Sequence, residues 1–432
     1  MRPAQNLPLM ANFKAICHIS PMKILLAVSG SISAYKAYDL LRSYLHQGHT
    51  VRVVLTKGAE QFVQAQMFRY LGAEAVYSSQ EDFLYPKQVA DNGTVLHIEL
   101  ARWCEQFVVA PLSANTLSRL ARGEASDLLG SIFLSLEQNK PILIFPAMNT
   151  FMLDHPFTRE HLNDIKRLKS LHQLFIHPTL EGELACGDVG SGKLAPIDEI
   201  LELTQSFTAN KNNKKMVITT GATVAPLDNV RFLTNSSNGT TGVSLAREAL
   251  AQGYDVTVIA GIYATANLDL FRAHPRYTLE RVRTPQEMLD QVEKYFPTCD
   301  IYISSAAVGD IEFVSTEGKL KKEKLSQALE IKPGVDILKQ VLAMRTVKQK
   351  LVGFAAEYEL SDENLHAKME RKKVDYLVGT KVNNGLLGNG VITGFRTENA
   401  HYAFLDLQGK IERIELSKSQ MAKHLLDKVA HD

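Results

Sequence analysis

The chain has 432 residues, 45% of them apolar and 22% charged, with a formal net charge of +1. That length exceeds what one hydrophobic core supports and predicts two domains, and the composition excludes an intrinsically disordered chain. A near-neutral balance excludes the strongly basic footprint of an extended nucleic-acid surface.

Residues 1–21 carry Arg2, Lys14 and Pro21 but lack the apolar stretch of a signal peptide, so they read as an N-terminal extension with Met22 as a candidate start. No run is long enough to span a membrane. Cys17, Cys104, Cys186 and Cys299 are scattered without metal-ligand spacing, which fits a reducing, cytoplasmic setting.

The apolar runs Lys23 to Val28, Thr50 to Thr56, Phe107 to Ala110 and Pro141 to Phe145 predict buried strands, with helices over Ile32 to Gln47 and Ala114 to Arg122. A second set follows a polar stretch. Its strands are Met216 to Thr220, Asp255 to Ala260, Ile301 to Ser305, Leu351 to Ala355 and Tyr376 to Gly379, with helices near Val243 to Gln252, Pro285 to Tyr295 and Asp362 to Lys373. An antiparallel appendage around His401 to Leu416 and a terminal helix close the chain. This alternation predicts an α/β fold class: two doubly wound, Rossmann-like or flavodoxin-like parallel-sheet domains in tandem, over 22–190 and 191–432, with a linker at about 204–215.

In the first domain the strand from Lys23 runs into Ser29-Gly30-Ser31-Ile32-Ser33, where backbone N–H groups and the positive helix end favour phosphate. The same turn also serves simply to pack strand against helix. The G-x-G-x-x-G dinucleotide pattern is absent, so a mononucleotide such as FMN is expected over NAD, with Gly30, Ser31, Ser33, Thr56 and Ser113 as binding candidates. Ser113 and Asn115 are equally suited to capping a helix. Asn149, in Pro146-Ala147-Met148-Asn149, has no evident packing reason to end a buried strand. Met148 and Met152 beside it read either as core filler or as a site wall. His97 is a candidate base, imidazole being the side chain suited to proton transfer near neutral pH, or a surface histidine. Cys186 sits in Ala185-Cys186-Gly187-Asp188-Val189-Gly190-Ser191-Gly192-Lys193, a glycine-rich stretch expected to form a mobile lid.

In this order, Ser29 to Lys36, His97-Ile98-Glu99-Leu100, Ala110 to Thr116, Pro146 to Asn149 and Ala185 to Asp188 resemble the FMN-dependent cysteine decarboxylases. The second domain resembles the phosphopantothenate–cysteine ligase that bacteria fuse to that decarboxylase. The resemblance covers Met22 to the C-terminus and implies a bifunctional enzyme of coenzyme A biosynthesis. Cysteine is joined to 4′-phosphopantothenate with CTP and Mg2+ (or Mn2+), and the product is oxidatively decarboxylated with FMN. It implies His97 as base, Asn149 and Asn115 as groups that orient the substrate, and Cys186 as proton donor.

For the ligase, the resemblance implies Asn235 and Lys319 as catalytic residues and Arg231 as a substrate contact. Ser304, Ser305, Ala306, Asp310, Gly334, Val335, Asp336, Ile337, Phe354, Lys368 and Lys372 match its nucleotide contacts. It also implies decarboxylase trimers and ligase dimers in a dodecamer, with FMN near a subunit boundary. Val224 and Ala225 depart from a Pro-Thr-Arg-Glu pattern, Asn238 and Thr240 from Ser-Ser-Gly-Lys, and Thr380 and Lys381 from Ala-Asn-Asp. Losing the phosphate-side lysine at Thr240 costs about 1.5 to 3 kcal/mol, enough to slow the ligase greatly without abolishing it. Two alternatives follow: a decarboxylase carrying a degraded ligase domain, and a flavin-binding regulatory protein without catalysis.

Overall fold

A computed structural model of the chain describes residues 21–81, 95–138, 140–168, 173–183, 189–207, 212–272, 274–314, 318, 330–384, 392–394, 397 and 399–431. The extension 1–20, Cys186 and Lys319 lie outside these residues. The chain divides into two compact units, Met1–Ala209 and Asn210–Asp432.

The first unit holds a six-stranded parallel sheet. Its strands are β1 (Lys23–Val28), β2 (Thr50–Leu55), β3 (Ala75–Tyr77), β4 (Gln106–Leu112), β5 (Pro141–Pro146) and β6 (Gln173–Ile176), in the order β3-β2-β1-β4-β5-β6. β4 and β5 are buried at every position and β1 at every position after Lys23, as central strands covered on both faces must be. Helix α1 (Lys36–His46) follows a 3₁₀ turn at Ile32–Tyr35 and buries Ala37, Leu40, Leu41 and Tyr44, the one-face spacing of an amphipathic helix. The other helices are α2 (Ala65–Tyr70), α3 (Leu96–Trp103), α4 (Ala114–Ala121), α5 (Leu128–Ser135), α6 (Thr150–Asp154) and α7 (Pro156–Arg167). An antiparallel hairpin of β7 (Leu180–Glu183) and β8 (Val189–Lys193) precedes α8 (Ile197–Ser206).

The boundary expected at 190/191 moves to 209/210, because residues 191–207 are built into the first unit. The Tyr44 and Thr204 hydroxyls meet at 2.8 Å, and Gln106 Nε2 donates to the Thr204 carbonyl at 2.7 Å and to that of Phe207. A buried amide thus satisfies carbonyls at the end of α8.

The second unit repeats the strand order over a longer sheet. It comprises β9 (Lys215–Thr220), the small hairpin β10 (Val224–Pro226) and β11 (Phe232–Thr234), α9 (Thr240–Ala251), β12 (Asp255–Gly261), β13 (Tyr277–Val282), α10 (Pro285–Tyr295) and β14 (Ile301–Ser304). There follow β15 (Ile311–Phe313), β16 (Ile331–Pro333), α11 (Ile337–Met344), β17 (Lys350–Glu357), α12 (Asp362–Lys372) and β18 (Tyr376–Lys381). The last elements are β19 (Asn383–Asn384), β20 (Ile392–Thr393), β21 (Asn399–Asp406), β22 (Ile411–Ser417) and α13 (Lys418–His431). The main sheet runs β13-β12-β9-β14-β17-β18-β21-β22, parallel as far as β18 and antiparallel beyond it.

His49, at the start of β2, is 3% exposed and accepts the Met22 N–H on Nδ1 at 3.2 Å. Burial, opposed by the Glu105 charge, pushes its imidazolium down to about 4 from 6.5. The unfolded chain therefore binds more protons than the fold between those values, and stability falls as pH drops through that window. His177, also lowered by burial, acts in the same direction. His49→Gln should flatten the loss of stability between pH 6.5 and 4, measured as urea midpoints against the unsubstituted protein; an unchanged pH slope refutes the assignment.

Candidate functional site

In the first unit the strand order reverses between β1 and β4, and the crevice at such a reversal is where open α/β sheets bind ligands. Ser29 closes its floor: its hydroxyl donates to the Pro111 carbonyl at 2.8 Å and accepts the Ser113 N–H at 2.7 Å. Gly30 lies against the loop after β2, where a Cβ would stand 2.9 Å from Gly58 backbone atoms. Ser31 caps the 3₁₀ turn and donates to the Ala147 carbonyl at 3.2 Å, joining the first turn to the end of β5.

Above this floor opens a cavity of about 760 Å3, within the roughly 300–1,000 Å3 typical of ligand pockets. Gly30, Ser31, Ser33, Ser113, Met148, Asn149 and Met152 line it, so seven of the expected residues converge. Lys36, Phe62 and Lys193 also line it. No helix pattern or motif spacing points to Phe62, which lies in the loop after β2. Of the glycine-rich segment expected as a lid, Val189–Lys193 form β8, and Gly192 and Lys193 line the cavity. Gly192 has φ +133°, an added Cβ would fall 2.0 Å from the Met148 carbonyl oxygen, and Met148 N–H donates to the Gly192 carbonyl at 3.0 Å.

Two of the lining residues also cap helices, and three expected residues lie off the cavity. Asn149 does have a local structural reason: it caps α6, its Oδ1 accepting the Phe151 N–H at 2.9 Å. Ser113 caps α4 through Thr116 N–H at 3.3 Å while also lining the cavity. Thr56 is buried below the lining, its Oγ1 accepting Ala59 N–H at 3.2 Å. Asn115 is exposed on α4, and neither it nor His97, half-buried in the first turn of α3, lines the cavity of this chain.

The second unit has its own crevice between β9 and β14. Ser305 donates both its N–H and its hydroxyl to the Thr219 carbonyl, at 3.1 and 2.7 Å. Asn235 Nδ2 donates to the Ala307 carbonyl at 3.2 Å and so ties the loop before α9 to the end of β14. A cavity of about 110 Å3 lies there, lined by Ser237 to Thr241 at the start of α9, by Ser305, Ala306 and Phe354, and by Thr380 and Lys418. The departing residues Asn238, Thr240 and Thr380 therefore face one site, whereas Ser304 does not line it. Lys381 is exposed, and Val224 and Ala225 are buried in the β10–β11 hairpin.

The remaining nucleotide candidates gather in a second cluster. Gly334 N–H donates to the Asp310 carbonyl at 2.8 Å, Asp336 caps α11 through Lys339 N–H at 3.0 Å, and Lys372 Nζ donates to the Phe354 carbonyl at 3.1 Å. Val335 and Ile337 flank Asp336, and both pack on the core of this unit. Burial, reinforced by Lys368 and Arg371, holds the Lys372 ammonium below the ordinary lysine range, against the opposing charges of Asp336 and Asp310. Burial and Arg371 lower Lys368 likewise, opposed by Asp310, and Lys368 pairs with Glu357. Arg231 does not line the cavity. Its Nε and Nη2 lie 3.0 and 2.5 Å from Oδ2 of the buried Asp228, so its side chain is held in the β10–β11 loop.

The DNA/pantothenate metabolism flavoprotein C-terminal domain family matches residues 211–431, and the flavoprotein family matches residues 16–209. The coenzyme A biosynthesis bifunctional protein CoaBC of Bacillus subtilis is 33% identical over 398 residues, which cover 90% of this chain and 94% of that protein. The chain belongs to this family. Family members are bifunctional enzymes of coenzyme A biosynthesis, with decarboxylase and ligase domains in the order of the two units seen here. A cysteine/cysteine sulfinic acid decarboxylase from an unknown prokaryotic organism is 32% identical over 357 residues, 81% of this chain and 94% of that protein. A solved structure of a PPC decarboxylase mutant complexed with pantothenoylaminoethenethiol is 34% identical, covers 43% of this chain and 97% of its own, and gives a TM-score of 0.39. Among the described residues no helix is long and apolar enough to cross a membrane.

The capping and lining roles of Asn149 are separable. Asn149→Ala should destabilise the first unit by about 1 kcal/mol, whereas Asn149→Asp, which keeps the capping oxygen, should leave its urea midpoint nearly unchanged. Equal losses in both variants would remove capping as the structural role.

Proposed function

We propose that this chain makes 4′-phosphopantetheine in two steps, one in each unit. In the second unit, 4′-phosphopantothenate is activated by CTP, with Mg2+ or Mn2+ as the accompanying ion. Pyrophosphate leaves as an acyl-cytidylate forms, and the cysteine amine then displaces CMP. Asn235 holds the activated acyl group, Lys319 stabilises charge developing on the phosphates, and the Asp310–Asp336–Lys368–Lys372 cluster takes the nucleotide. Arg231, its side chain braced by Asp228, contacts the substrate.

In the first unit the product is decarboxylated at the cavity between β1 and β4. The observation that carries this reading is the convergence there of Ser31, Ser33, Ser113, Met148, Asn149 and Met152. The residues fit a flavin mononucleotide: a small-residue turn with hydroxyls and a helix start suits the phosphate, and the apolar walls suit the ring. When bound, FMN would supply a hydride acceptor that lets the carbon bearing the thiol be oxidised before CO2 leaves, and would give the hydride back to the decarboxylated product. Asn149 orients the substrate carboxylate, Met148 and Met152 exclude water, and Cys186 returns a proton to carbon. His97 accepts the thiol proton. Because it does not line the cavity of its own chain, this role requires an oligomer in which it reaches a neighbouring subunit's cavity. Exposed Ile32, Tyr35 and Phe62 beside the cavity support such packing. The assembly proposed is trimers of this unit joined through dimers of the other into a dodecamer. We place the enzyme in the cytoplasm.

The cysteine/cysteine sulfinic acid decarboxylase relative favours a second reading, in which the first unit acts on the small acid directly. Purified protein should be yellow, release CO2 from 4′-phosphopantothenoylcysteine, and release pyrophosphate only with CTP, phosphopantothenate and cysteine together. CO2 from cysteine sulfinic acid without any pyrophosphate release would favour the second reading. Cys186→Ser should retain flavin yet stop short of the reduced product; product at the normal rate would show that Cys186 is not the proton donor.

A further inference from the structure

The described residues that line the cavity of the first unit include two charged side chains, Lys36 and Lys193, and no carboxylate. Lys193 is the last residue of β8, and the strand that presents it is clamped to the segment after β5. Thr150 Oγ1 donates to the Ser191 carbonyl at 2.6 Å, and Met148 N–H donates to that of Gly192 at 3.0 Å. The approach is close enough to require glycine: an added Cβ would fall 2.4 Å from Thr150 Oγ1 at Gly190 and 2.0 Å from the Met148 carbonyl oxygen at Gly192. The end of β8 is therefore held in one place, and the lysine after Gly192 starts from a fixed backbone. Lys193 is exposed, whereas Asn149, lining the same cavity, is half-buried.

We infer that Lys193 is a specificity residue of the decarboxylation, its ammonium meeting the phosphate ester of the acyl-cysteine substrate and so favouring that substrate over the small acid alone. The inference rests on the reaction proposed for this unit. Such a substrate is anionic at both ends, and the two ends make opposite demands. The carboxylate loses its charge as CO2 leaves, so an ammonium held against it would stabilise the reactant more than the transition state and slow the step. Asn149, which is neutral, suits that end. The phosphate keeps its charge throughout, so a cation there adds binding without opposing the chemistry. A lysine, a point charge on a flexible stem, suits a phosphate that stays partly in water. Lys36 stands instead beside the turn that Ser31 caps, opening α1 where the flavin phosphate is placed in this reading. Cysteine sulfinic acid brings no phosphate and gains nothing from Lys193.

Steady-state decarboxylation by the full, flavin-loaded chain tests this, with 4′-phosphopantothenoylcysteine and its dephosphorylated counterpart, pantothenoylcysteine, as substrates. The unsubstituted protein should prefer the phosphorylated substrate. In Lys193→Met that preference, taken as the ratio of the two kcat/KM values, should fall about tenfold, through a raised KM for the phosphorylated substrate. Lys193→Arg should keep the preference. An equal fall for both substrates would mark a structural role or a contact with the carboxylate, and loss of the yellow flavin from Lys193→Met would place the ammonium on the cofactor; either result overturns the proposal. So does a preference that Lys193→Met leaves unaltered. If the unsubstituted protein acts on both substrates without preference, the decarboxylase reading stands and the proposal alone fails. If it releases CO2 from neither, that reading fails and the proposal with it.

Discussion

The reversal of strand order in a parallel sheet governs both sites. Where neighbouring strands lead their connections to opposite faces, the carboxyl ends of two strands are left with a crevice that no loop fills, and helix N-termini point into it. Each unit clamps that crevice with a serine. In the first, the Ser29 hydroxyl just after β1 reaches Pro111 in β4 and Ser113 just beyond it. In the second, Ser305 beyond β14 reaches back to the Thr219 carbonyl of β9. The two bridges run in opposite directions across the same gap.

Because the helix starts face the crevice, the residues that cap them are also those a ligand would meet. Ser31, Ser113 and Asn149 each satisfy a backbone N–H and each line the cavity. Capping and binding are therefore not competing explanations of these side chains. A short polar side chain with an acceptor for its own helix and a face toward the crevice meets both demands.

The second unit divides its positive charge differently. Lys368 and Lys372 share one helix face, and the Asp310 charge opposes the lowering of both, joined at Lys372 by Asp336. Lys418 stands apart in the smaller cavity, with hydroxyls and a helix start as companions.

Much of the fold was legible in the chain. The runs at Lys23 to Val28 and Pro285 to Tyr295 form elements with the expected limits, because an uninterrupted apolar run and a Thr-Pro helix start are local signals. The strands β3 and β6 and the β7–β8 hairpin were missed, since short edge strands and glycine-rich hairpins carry little periodicity. The first-unit site was largely legible as well, because its residues lie in turns directly after strands. Tertiary structure alone decided the rest. The end of the first unit at Ala209 depends on Gln106 and Tyr44 holding α8, contacts across 98 and 160 residues. The arrival of Lys418 at the start of α9 depends on how α13 packs. Sequence determines where backbone must be buried and which turns carry donors; only the packed sheet decides which distant charges share a cavity, because that depends on strand order rather than on spacing along the chain.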